Sequence, residues 1–278
     1  MEIRSESDRL LDLLEEKPYN KKELSFEDFN VTIAEFENID STQTQLNKIL
    51  PKMTNNKEIL LLRANEQSKG KGRGNNKWIS PPNNLYMSFS IILEDPEVIG
   101  LLPCVASLSV QQYLKNKTKH DFGIKWVNDV YYQGKKVNGI LCESTFVNNK
   151  YNCIIGIGVN MIKSVDLNSA LYQSGDVQSL TGMNLSLTET CEGILKQFLG
   201  FINNMKQDRF KGIQKVYSDS LLWKSKTVQV TDHFTKKVTT GILIGVNSNG
   251  HLIVFDTLTK TQKEFENGSL VLIQKENK

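Results

Sequence analysis

The chain has 278 residues, with 34 basic and 31 acidic side chains giving a net charge of +3. So even a balance lacks the broad positive field of a nonspecific nucleic-acid binder, and no apolar run approaches the ~18 residues of a membrane span. The start, Met1-Glu2-Ile3-Arg4-Ser5-Glu6, has no apolar signal core and is too acidic for a usual organelle transit peptide, so a soluble cytoplasmic protein is expected.

The four cysteines, Cys104, Cys142, Cys153 and Cys191, stand far apart in apolar runs. Without CxxC spacing they predict buried neutral thiols rather than a zinc site or a disulfide framework.

Residues 5–16 read as a short amphipathic helix, with Leu10, Leu11 and Leu14 on one face and Ser5 or Ser7 as cap. A second helix opens near Thr42, where Leu46, Ile49, Leu50 and Met53 keep helical spacing. Residues 58–63 predict a strand, 65–77 a polar glycine-rich stretch, 85–93 a second strand and 101–114 an internal helix. Strands are expected at 123–126 running on to 132, at 137–145 and at 151–159. Gly134-Lys135 and Asn148-Asn149 supply tight turns, so these neighbours should be antiparallel. Ser186-Leu187-Thr188-Glu189 is a capping box opening a helix that buries Cys191, Ile194, Leu195, Phe198, Ile202 and Met205.

After Trp223 come short strands at 226–231, 238–246, 252–255, 262–265 and 270–273, separated by Asn- and Gly-rich turns, the pattern of a small β-barrel. Strands and helices mix without βαβ alternation. The expectation is an α+β fold with a mixed, mostly antiparallel central sheet covered by helices. Its divisions are an N-terminal helical segment 1–30, a large α+β domain 31–222 that holds the segments described next, and a C-terminal β domain 223–278.

Four segments carry chemistry. In the segment from Asn65 to Trp78, around Gly70-Lys71-Gly72-Arg73-Gly74, backbone N–H groups and cations could surround a phosphate. Taken alone, such a stretch is more often a solvated loop. In Lys125-Trp126-Val127-Asn128-Asp129, Lys125 either snorkels from a strand end or sits as a fixed cation in a pocket. Lys136-Val137-Asn138-Gly139-Ile140-Leu141 and Gly156-Ile157-Gly158-Val159-Asn160 place glycines inside strands, which marks either a ligand lying against the sheet or crowded packing.

In order and spacing, the four segments resemble the biotin protein ligases (biotin–[acetyl-CoA-carboxylase] ligases, or holocarboxylase synthetases). Lys77-Trp78, Ser80-Pro81, Leu85-Tyr86-Met87-Ser88 and Ser41-Thr42 add to the match, over roughly residues 35–165. The resemblance implies a class II aminoacyl-tRNA-synthetase-like sheet with a small SH3-like β domain. It implies ATP and Mg²⁺, formation of biotinyl-5'-AMP, and transfer of biotin to a lysine in the carboxyl carrier domain of acetyl-CoA carboxylase and related carboxylases.

Carried over by residue, biotin contacts fall to Ser41, Thr42, Gln43, Gln67, Lys71, Gly72, Arg73, Lys125, Gly139 and Ile140. Trp78, Asn128 and Asn160 would hold the adenylate, and Lys125 and Arg73 would be catalytic. Two departures stand out. Val127 replaces the family's proline, and Lys71 its first loop arginine, keeping charge but losing the bidentate fork.

Residues 1–34 are too few for the winged-helix DNA-binding domain of family repressors, so no nucleic-acid partner is expected. His120, His233 and His251 fall at turns or in the C-terminal unit, which argues against a His-based triad. The rivals are a lipoate ligase-like acyl-adenylate enzyme, whose Arg-Arg and triple-glycine pattern is absent, and a biotin-binding protein without turnover.

Overall fold

A computed structural model of the chain describes residues 5–163 and 173–273. Residues 1–4 of the expected N-terminal segment and 274–278 of the expected β domain lie outside the described residues. Ser5, not Ser7, caps helix α1 (Glu6–Leu11), its hydroxyl accepting the Asp8 N–H at 3.1 Å. The expected helical segment 1–30 is corrected at its second half, where β1 (Asn20–Phe26) pairs antiparallel with β2 (Phe29–Ile39) and forms an edge of the main sheet. Pro18 bars helix continuation. In β1 only Leu24 and Phe26 alternate as partly buried residues, too weak a pattern to announce a strand.

Ser41 caps α2 (Thr42–Ile49), which carries the chain from β2 to its parallel neighbour β3 (Glu58–Gln67). The sheet continues through β4 (Leu85–Leu93), β5 (Gly123–Lys125), β6 (Asp129–Tyr132), β7 (Lys135–Val147) and β8 (Lys150–Val159). It is eight-stranded, ordered β1-β2-β3-β4-β8-β7-β6-β5, and antiparallel except at β2–β3.

The run Ile59-Leu60-Leu61-Leu62 is apolar without alternation because helices cover both faces. Leu60 and Leu62 pack with α1 and α2 side chains such as Leu10, Leu46 and Ile49. Ile59 and Leu61 join the larger core under α3 (Pro96–Thr118) and, after the short α4 (Val177–Thr181), under α5 (Leu187–Asp208). Ser186 caps α5 by accepting from Glu189 N at 3.3 Å. No described helix is long and apolar enough to cross a membrane.

Residues 123–132 do not run on as one strand. They turn back as the β5–β6 hairpin, with Ile124 opposite Val130, and the Trp126–Val127 peptide is cis. The buried Trp126 indole donates to the Gly250 carbonyl at 3.0 Å, anchoring the turn on the C-terminal sheet. After α6 (Lys211–Asp219) that sheet is built from β9 (Thr227–Thr231), β10 (Val238–Val246), β11 (Leu252–Asp256), β12 (Thr261–Phe265) and β13 (Ser269–Leu272). It is five-stranded and antiparallel, ordered β12-β11-β10-β9-β13. Its inward residues Val228, Val230, Leu243 and Val254 share the larger core.

Helices α3 and α5 meet at Gly193, where an added methyl would lie 2.1 Å from Tyr113 Cε2. Alanine inside a helix gains about 1 kcal/mol over glycine, but overpacking against a buried ring costs about 1–3 kcal/mol. Gly193→Ala should therefore lower the melting temperature. A raised one would mean that Tyr113 moves aside freely.

Candidate active site

A cavity of about 700 Å³ lies on the sheet between the start of α2, strands β4, β7 and β8, and the glycine-rich loop. That volume suits a small-molecule ligand. Of the residues singled out in the sequence, Ser41, Thr42, Gln43, Gln67, Lys71, Gly72, Arg73, Trp78, Asn128, Gly139 and Ile140 line it. Ser88, Asp129, Lys136, Gly156, Gly158 and His233 line it as well and were not singled out as contacts.

The inner end is polar. The first turn of α2 faces the sheet, so Thr42 and Gln43 are buried there with Ser88 of β4. Thr42 N–H donates to Gln67 Oε1 at 2.9 Å, and the Thr42 and Ser88 hydroxyls meet at 2.8 Å. The floor explains the strand glycines. Gly139 and Gly158 stand directly opposite each other in the β7–β8 pair, and a Cβ on either would come within 2.7 Å of the Trp78 ring. A Cβ at Gly156 would lie 2.5 Å from Gln43 Oε1. The space they leave is filled by Trp78 and Gln43, which wall the cavity. Trp78 Nε1 is buried with no protein acceptor among the described residues.

The roof is cationic. Gly72 N–H donates to Asn76 O at 2.8 Å, and Gly74 takes φ +60° at the loop's tip, a conformation that favours glycine. Arg73 Nη1 donates to Asn128 Oδ1 at 2.8 Å, and Asn128 Nδ2 donates to Ile140 O at 3.0 Å, so the loop is tied to the floor. Below the loop, on β7, Lys136 Nζ is paired with Asp129 Oδ1 at 2.7 Å and sits 5.5 Å from the Trp78 ring centroid.

Two expected contacts are elsewhere. Lys125 does not line the cavity, because it lies on the edge strand β5 with its Nζ over the Tyr131 and Trp223 rings at 5.8 and 5.5 Å. Burial pushes the Lys125 pKa down, Asp129 opposes this, and the charge of Lys136 adds to the fall. The cavity's deep lysine is instead Lys136, whose Cε lies 3.3 Å from where a Gly139 Cβ would stand. Its signal was its place three residues before Gly139 in a motif already recognised. Asn160 is also outside the lining, its Nδ2 donating to Gly175 O at 3.0 Å and so holding the segment beside β7. His233 comes from the β9–β10 turn, and no local pattern linked it to a site so distant in sequence.

Among the described residues no three His, Cys, Asp or Glu side chains gather into a metal site, and Asp129, the only carboxylate lining the cavity, is paired with Lys136. The residues present therefore do not form a protein cage for Mg²⁺.

A mostly antiparallel sheet with helices on its faces, a second β unit and a cationic loop over a polar-ended cavity is the architecture of the class II synthetase-like ligases. The family model "Biotin/lipoate A/B protein ligase family" matches residues 35–160. Biotin–protein ligase 1, chloroplastic, of Arabidopsis thaliana is 31% identical over 198 residues, which is 67% of this chain and 53% of that protein. Biotin–protein ligase 2 of the same plant is 30% identical over 67% of this chain and 59% of its own length. The chain thus spans a little over half the length of these curated relatives. The structure of biotin protein ligase from Aquifex aeolicus in complex with biotin and ATP aligns with a TM-score of 0.73 at 27% identity, covering 87% of this chain and 99% of that one. The chain belongs to the biotin/lipoate A/B protein ligase family.

Proposed function

We propose that the protein is a biotin ligase that joins biotin to ATP as biotinyl-5'-AMP and transfers the biotinyl group to a lysine of a carboxyl carrier domain. The observation that carries this reading is a single cavity with buried hydroxyl and amide groups at one end and Lys71, Arg73 and Lys136 at the other. The biotin and ATP named with the Aquifex aeolicus structure support it.

Thr42, Gln43, Gln67 and Ser41 would hold the polar ring of biotin, with Gly72, Gly139 and Ile140 along its length. Trp78 and Asn128 would lie against the adenylate, Trp78 Nε1 being a donor in need of an acceptor. In the first step a carboxylate oxygen attacks the α-phosphorus and the bond to pyrophosphate breaks. The nucleophile is ionised at neutral pH, so the barrier is charge repulsion rather than proton removal. Fixed cations of the cavity, Lys136 foremost, lower that barrier. In the second step an acceptor amine attacks the acyl carbon, loses a proton, and AMP leaves. Any divalent cation would be carried by the nucleotide rather than held by a cluster of protein carboxylates among the described residues.

Mass spectrometry of a carboxyl carrier domain incubated with the protein, ATP and biotin tests the proposal, with one biotinyl group on one lysine expected. Biotin binding without transfer would make the chain a binding protein; preferential lipoyl transfer would make it the lipoate-type rival.

The tie between Arg73 and Asn128 yields a sharper expectation. Arg73→Gly removes the guanidinium that fastens the loop and loosens a segment already rich in glycine. Adenylate should still form, because Lys136 remains, but should escape before meeting its acceptor. Biotin incorporation into serum albumin should then rise at least tenfold over wild type, on the order of the ~1.4 kcal/mol of a charge-assisted contact. Lost adenylation without stray labelling would put Arg73 in the chemical step instead.

A further inference from the structure

Four oxygens run in a row through the inner end of the cavity: Gln43 Oε1, Ser88 Oγ, Thr42 Oγ1 and Gln67 Oε1, separated by 3.1, 2.8 and 3.1 Å. Each gap is within hydrogen-bond distance, yet the row owns only the two hydroxyl hydrogens of Ser88 and Thr42, so one gap stays a bare oxygen–oxygen contact. Thr42 N–H reaches Gln67 Oε1 but fills none of the three gaps. The row is one donor short.

Turning either glutamine amide would bring an NH₂ group inward and remove the shortage, and both are prevented from turning. Gln67 Nε2 donates to Ser80 Oγ at 3.0 Å, and the Ser80 hydroxyl is itself spent on the Trp78 carbonyl at 3.0 Å. Gln43 Nε2 donates to Glu143 Oε2 at 2.8 Å, and a carboxylate can only accept. Asn47 Nδ2 donates to the same oxygen at 2.7 Å and holds it in place. Glu143 itself does not line the cavity.

We propose that Glu143 is a positioning residue that fixes the direction of this hydrogen-bond row, so that the inner end of the cavity offers an acceptor and selects a ligand ring bearing an N–H donor. The inference rests on the biotin-ligase reading and says which property of the ligand is sensed. A cyclic urea can donate an N–H from the cavity to an oxygen of the gap that no hydroxyl hydrogen fills. A ring without N–H leaves buried oxygens facing each other, and a site built to pair a polar group rejects its unpaired analogue strongly.

Calorimetry compares biotin with its two cyclic carbamate isosteres, each having a ring oxygen in place of one urea N–H. The wild type should prefer biotin over at least one carbamate by on the order of 100-fold. In Glu143→Gln the new side chain can donate, Gln43 can turn its NH₂ inward, and the preference should shrink to about tenfold or less. Should Glu143→Gln not fold, Glu143→Ala removes the acceptor that holds Gln43 Nε2 and should narrow the same ratio. A loss of affinity equal for all three ligands would mean that Glu143 only supports the fold, and would overturn the proposal. A wild type that binds biotin without distinguishing the carbamates overturns it while leaving the ligase reading intact; one that binds no biotin overturns both.

Discussion

Lys136→Ala should slow biotin-dependent pyrophosphate release by on the order of 10²–10³-fold, the usual loss when one fixed electrostatic partner of a transition state is removed. Lys136 is 8% exposed, lines the cavity and is held by Asp129 at 2.7 Å, so its charge needs no reorganisation as the two anions approach. Lys125→Ala should change the same rate only a few-fold, because its ammonium lies over Tyr131 and Trp223 and outside the cavity. Pyrophosphate release measured on both variants, each checked for folding by thermal denaturation, decides between them. A larger loss for Lys125→Ala than for Lys136→Ala would reverse the assignment.

For stability, the largest single effect is expected at Arg63. Its Nε donates to Glu35 Oε1 at 2.8 Å between β3 and β2, with the two residues 8% and 7% exposed. Arg63→Met keeps the volume but leaves Glu35 charged and buried with Asn20 Nδ2 as a remaining donor at 2.7 Å. Breaking a buried pair from one side costs about 3–5 kcal/mol. The Asn20 contact should hold the loss near the lower figure. Replacing both partners, Arg63→Met with Glu35→Leu, should recover most of it, since two apolar side chains of similar volume need no partner. Urea denaturation reads the ordering. A single variant as stable as the double one would show that solvent reaches Glu35.

Local signals in the sequence were sufficient wherever the physics is local. Ser41, Ser186 and the Asn148-Asn149 turn each act within a few residues, and the structure places a helix start, a helix start and a hairpin there. The β4 strand and the C-terminal strands likewise follow from alternation and turn residues, which depend on near neighbours. Most of the cavity was legible too, because many of the residues around it cluster in a few short segments.

What tertiary structure decided are the choices between like groups. Lys125 and Lys136 each stand in a predicted strand three residues before an Asn or Gly, and nothing local separates them. The reversal of the chain at residues 126–128 sends one lysine to the sheet's edge and the other under the loop. The glycines of β7 and β8 could have made room for a ligand, but the cross-strand register puts Gly139 against Gly158 and Trp78 takes that space. β1 became a strand only because β2 offered it an edge, a long-range pairing that outweighs the low strand preference of Asn20-Lys21-Lys22-Glu23. His233 reaches the cavity only because the second sheet packs on the first through their shared core.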